Sequence, residues 1–132
     1  MDKGSRGMLA MQIYDAAREV HQSIGPGMLD SIFKVCLIHE LRLRGLRFRP
    51  NASIELLYKG LRVDERLMAD LIVEENIVIE IVKSSQHLDY HITRLNTILS
   101  FTGMPLGILI DPAAERIIDG FRKIINPKKL SQ

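Results

Sequence analysis

Between Ala69 and Lys83 the chain holds two short apolar runs, Leu71–Val73 and Ile77–Val82, joined by the polar triplet Glu74-Glu75-Asn76. The pattern reads as a β-hairpin whose strands are buried on both faces. Each strand also carries a carboxylate, Asp70 in the first and Glu80 in the second. A carboxylate in such a strand is costly unless it is paired, hydrogen-bonded or bound to a metal. With a three-residue turn, Val73 pairs with Ile77 and Asp70 lies directly opposite Glu80. Both acids then project from one face, as a divalent-metal site requires. A two-residue turn shifts the pairing by one and separates them.

Around this hairpin the remaining elements follow from periodicity. From Met8, the positions Ile13, Ala16, Ala17, Val20 and Ile24 recur at helical spacing, and Gly25-Pro26-Gly27 ends that helix. Residues 1–7 are polar and are expected to fray. Leu29, Ile32, Phe33, Cys36, Leu37 and Leu41 mark a second helix that ends near Gly45. Leu46-Arg47-Phe48-Arg49 alternates as a strand does, Pro50 and Asn51 interrupt it, and Ile54 to Tyr58 resumes. Lys59-Gly60 is a hairpin turn into Leu61–Val63. After the acidic hairpin, Leu88, Ile92, Leu95, Leu99 and Thr102 form a third helical stripe closed by Gly103. Met104–Ile110 is then a buried strand reached by a crossover. A short final strand begins at Asp119-Gly120-Phe121, and residues 127–132 read as a basic tail. At 132 residues the chain is expected to be one domain with its own core.

An aspartate on one strand followed by an acid and a lysine on the next resembles the core of the PD-(D/E)XK nuclease superfamily. The wider sequence, from about Ile13 to Asn126, resembles its GxxExxY branch. The pieces that carry the likeness are REVHQSIGPGMLDSIF, HELRLRGLRFR, YKG, ADLIVEENIVIEIVK, HITRLNTILSFTGMPLGILI and DGFRKIIN. The resemblance implies an α/β, restriction-endonuclease-like mixed sheet with two N-terminal helices and a crossover helix. It also implies magnesium held by Asp70 and Glu80, polarising a phosphodiester and activating water, with a lysine two residues after the second acid.

Several positions depart from that pattern. Two after Glu80 stands Val82, and the lysine is Lys83. A regular strand sends Lys83 to the face opposite Glu80, whereas a bulge at Ile81–Val82 re-aims it into the pocket. The branch's G-x-x-E-x-x-Y reads Gly27-Met28-Leu29-Asp30-Ser31-Ile32-Phe33. On the third helix, where relatives have glutamine and tyrosine, this chain has Arg94, which could still touch a phosphate of a nucleic acid, and Ile98, which cannot donate a hydrogen bond. Glu19 and Asp30 keep acids that relatives bring near the pocket, although Asp30 equally suits a helix N-terminus. His87 and His91, four apart, are either a zinc pair without a third ligand or, at His91, a pocket-lining group as in the relatives. Arg47 and Arg49, with Arg42, Arg44, Arg62 and Arg66, could contact phosphates or simply form a solvated strand face.

Composition narrows the remaining classes. A net charge of +2 carries no argument for nucleic acid by itself, and the absence of Trp argues against stacking platforms. The single cysteine, Cys36, fits a reducing compartment. No apolar run approaches the roughly 20 residues that span a bilayer, and the N-terminus has no signal-peptide core. The expectation is a cytoplasmic protein without a membrane partner. Two functions compete: a magnesium-dependent DNA or RNA phosphodiesterase using Asp70, Glu80 and a displaced Lys83, and a catalytically degenerate, self-associating binding or assembly module. Met8, Leu9, Met11, Leu56, Leu57 and Tyr58 are the apolar residues expected at a homo-oligomer interface.

Overall fold

A computed structural model describes residues 1–126 and 128. The tail assigned to 127–132 otherwise lies outside the described residues. Helix α1 (Lys3–Ile24) is followed by α2 (Asp30–Leu43) and β1 (Phe48–Ser53), then by a two-residue hairpin, β2 (Leu57–Tyr58) and β3 (Leu61–Arg62). Next come β4 (Met68–Val73), β5 (Ile77–Ile81), α3 (Leu88–Thr102), β6 (Leu106–Ile110), a 3-10 turn at Ile117–Gly120 and β7 (Phe121–Ile125). The main sheet has the order β1-β4-β5-β6-β7; β5 and β6 are parallel, and the other neighbours are antiparallel. This is the mixed α/β architecture expected of a restriction-endonuclease-like fold.

Alternation along β5 divides the core into two layers. Ile77, Ile79 and Ile81 join Leu71, Val73, Ile108 and Ile110 against Ile13, Ala17, Phe33, Leu37 and Leu41 of the α1–α2 pair. Val78 and Val82 join Ile72 and Leu109 against Leu95, Ile98 and Leu99 of α3. Glu80 therefore falls on the α3 side of the sheet. At Gly107 a β-carbon would come within 2.9 Å of the Leu95 side chain, so the missing side chain lets α3 seat closely on β6.

Two boundaries differ from the sequence reading. The first helix starts at Lys3 because Asp2 caps it, its Oδ1 accepting from the Ser5 N–H at 2.7 Å. Pro50 and Asn51 do not interrupt β1, since it is an edge strand where a missing N–H forfeits no ladder bond; Asn51 instead adopts φ +50°. Residues 54–56 are not in a strand. Of the apolar residues expected outside, Met8, Met11, Leu57 and Tyr58 are exposed, whereas Leu9 and Leu56 are buried in the two core layers. No helix among the described residues is long and apolar enough to cross a membrane.

Candidate active site

Glu74-Glu75-Asn76 is the three-residue turn, with Val73 opposite Ile77 and Leu71 opposite Ile79. Continued by one residue, that register sets Asp70 against Glu80. The β4–β5 ladder ends there, while β4 runs on with β1 to Met68 and β5 runs on with β6 to Ile81. The sheet thus forks at the two acids. The Ile81 N–H, which has lost its strand neighbour on this side, donates to Asp70 Oδ2 at 2.8 Å.

Each carboxylate is held by a cation from a different helix. Lys34 of α2 donates to Asp70 Oδ1 at 3.1 Å and also to the Asn51 side-chain oxygen. Arg94 of α3 donates from Nε to Glu80 Oε2 at 2.9 Å and through a terminal nitrogen to the Met68 carbonyl. Burial opposes the charge on Arg94, but the Glu80 carboxylate, through its charge and its hydrogen bond, outweighs that and raises the guanidinium pKa; Tyr90 and Asp70 add to the effect. The Glu80 side chain is only 2% exposed.

His91 completes the arrangement and its tautomer follows from its partners. The Lys83 backbone N–H donates to Nε2 at 3.0 Å, so the ring proton sits on Nδ1 and is donated to Glu80 Oε2 at 2.9 Å. Three of the four carboxylate oxygens of Asp70 and Glu80 are therefore engaged. Glu80 Oε1 is buried without a partner among the described residues, and its residue borders a cavity of about 130 Å³ with Asp70, Lys83, Gln86, Tyr90, His91 and Arg94. A larger cleft of about 460 Å³ lies on the Asp70 side, where Lys34, Arg66, Lys83 and Arg94 face Asp30 and Asp70.

The other candidates divide clearly. Lys83 is exposed and borders both cavities, because the chain leaves β5 after Ile81 and strand alternation no longer directs it. Val82 takes the motif-lysine position as an apolar residue, bonded to the Ile110 carbonyl and packed in the α3 layer. Asp30 borders the cleft from the first residue of α2. Glu19 is exposed on α1 and borders neither cavity. Arg47 and Arg49 are also outside the cleft. They pair with Glu74 and Glu75, the turn residues held at φ +50° and +52°, and so brace the hairpin. Ile98 and Phe33 are fully buried core.

Lys34 and Asn51 are site residues that the sequence did not reveal. A lone lysine at a partly buried position of an amphipathic helix was the only signal. His87 precedes the first turn of α3 and does not join His91; among the described residues no group of three or more His, Cys, Asp or Glu could hold a metal ion.

The donor chemistry was expected to suit magnesium between Asp70 and Glu80. Here the two acids already carry two internal cations, and a bridging ion would have to displace Lys34 or Arg94. The arrangement as it stands does not fit a divalent ion.

The sequence profile of the PD-(D/E)XK nuclease superfamily fits residues 8–124. No curated protein and no solved structure matches.

Proposed function

This chain belongs to the PD-(D/E)XK nuclease superfamily, and on that premise we propose that it is a catalytically degenerate, cytoplasmic member of the GxxExxY branch that serves as a binding and assembly module. The observation that carries the reading is the Arg94 guanidinium on the buried Glu80, 2.9 Å from Oε2. An acid neutralised in this way is a poor metal ligand, and Val82 offers no ammonium to a developing charge. The cleft still suits a phosphate-bearing chain. Arg66 and Lys83 line it without an ion pair among the described residues, while Lys34 and Arg94 offset Asp70 and Glu80.

Binding of labelled single- and double-stranded oligonucleotides in the presence of EDTA tests this. Salt-sensitive binding that weakens in Arg66→Ala/Lys83→Ala, with the oligonucleotide left intact, is the expected result. Oligonucleotide binding that the double substitution leaves unchanged removes the cleft from the proposal.

Self-association is the assembly part of the reading. Leu29, the cap residue of α2, and Ile32, Val35 and Leu43 on that helix are apolar side chains 46–67% exposed. Light scattering at micromolar concentration that finds only a 15.0 kDa species ends this part.

One observation favours the rival reading, a magnesium-dependent phosphodiesterase. Lys83 borders the same cleft as Asp70, so an ammonium is available near the first acid.

A further inference from the structure

We infer that Lys34 and Arg94 are built-in counter-ions that close the acid pair to divalent cations, and that removing them uncovers a metal site the chain still carries. The inference rests on the degenerate reading and adds its cause. Asp70 and Glu80 contribute two negative charges, and Lys34 at 3.1 Å and Arg94 at 2.9 Å return two positive ones. A divalent ion entering this group meets no net negative charge and two cations at contact range.

The donors themselves remain suitable. Magnesium needs only one or two protein carboxylates and keeps several waters. Glu80 has one oxygen free of partners among the described residues and borders a cavity large enough for water. His91 keeps Glu80 oriented through its other oxygen, as an outer-shell partner does for a ligand. Asp70 would lose Lys34 but keep Ile81 N–H on Oδ2, leaving Oδ1 to face the cleft. The two helices thus decide by their side chains whether the hairpin holds a metal.

The test is a manganese titration followed by calorimetry and by the paramagnetic signal of free ion. Wild type, Lys34→Gln, Arg94→Gln, the double variant and the double variant with Asp70→Asn are compared. The double variant is expected to bind one ion about 100-fold or more tightly than wild type, since each cation removed relieves a repulsion of more than one decade at an effective dielectric of about 20. Adding Asp70→Asn is expected to abolish the gain.

If Arg94→Gln variants do not fold in EDTA, folding on manganese addition is the expected outcome. If they fold in neither condition, Lys34→Gln alone decides, with about a ten-fold gain expected on the same reasoning. One-to-one binding by wild type as tight as by the variants overturns the inference, as does a folded variant that gains nothing. A wild type that binds manganese as tightly as the double variant, without cleaving, overturns this inference alone. Cleavage by wild type that Glu80→Ala abolishes overturns the degenerate reading itself.

Discussion

Asp70 accepts the Ile81 backbone N–H at 2.8 Å across the fork between β4 and β5. The motif aspartate is therefore part of the sheet as well as of the cleft. Asp70→Ala would leave the Ile81 donor unsatisfied and Lys34 without its acid, at about 1–3 kcal/mol. Asp70→Asn keeps an acceptor for Ile81 and is expected to cost less than Asp70→Ala in urea unfolding. Equal losses for the two would show that the Ile81 bond contributes nothing.

Arg94 and Glu80 form a pair in which removing one partner hurts more than removing both. Arg94→Met leaves a carboxylate that is 2% exposed with His91 as its remaining side-chain partner. Breaking buried pairs costs about 3–5 kcal/mol, and the partial exposure of Arg94 brings the expectation to roughly 2–4 kcal/mol. Glu80→Leu/Arg94→Met should recover part of that loss, because no unpaired charge remains. A double-mutant cycle with zero coupling energy would show that the pair contributes nothing.

Leu37 is fully buried where α2 meets α1 and the sheet. Leu37→Ala is expected to cost about 2–5 kcal/mol in chemical unfolding. A loss below about 1 kcal/mol would mean that the surrounding side chains collapse into the space, contrary to the packing of Phe33 and Leu41 beside it.

How much of this was legible in the sequence depends on the range of the interaction. The turn at 74–76, the register that opposes Asp70 to Glu80, and α3 with its Gly103 stop are local or period-driven and are found, although Leu88 of the expected stripe is exposed and His91 and Ile98 are buried beside Leu95 and Leu99. The start of α1 was misplaced because Asp2 acts as a cap, a short-range signal that the apolar pattern masks. The partners of the acids were not legible at all. Lys34 is 36 residues from Asp70, and only the docking of α2 on the forked sheet brings them together. Arg47 and Arg49 could be read as phosphate contacts or as a solvated strand face, and nothing local shows that Glu74 and Glu75 lie beside them as ion-pair partners.

Cleavage is the last prediction, and the expectation is silence. Hydrolysing a phosphodiester requires a metal, an activated water and a charge-stabilising donor held within a few tenths of an ångström. Here Glu80 Oε2 is shared by His91 and Arg94 and Asp70 Oδ1 is taken by Lys34, so each acid carries an internal cation before any metal arrives. Val82 is buried where the ammonium belongs, and Lys83 makes no hydrogen bond or ion pair with its side chain among the described residues. Loss of one preorganised donor typically lowers a rate about 100- to 1,000-fold, and an acid pair closed to metal would forfeit the metal's contribution as well. Purified protein is therefore expected to leave DNA and RNA, single- or double-stranded, uncut in magnesium or manganese. Long incubations of wild type and Glu80→Ala, run in parallel, check this. Cleavage present in wild type and absent in Glu80→Ala would make Lys83 the working lysine. Cleavage equal in the two would trace to a contaminating nuclease, because the variant lacks an acid that the reaction requires.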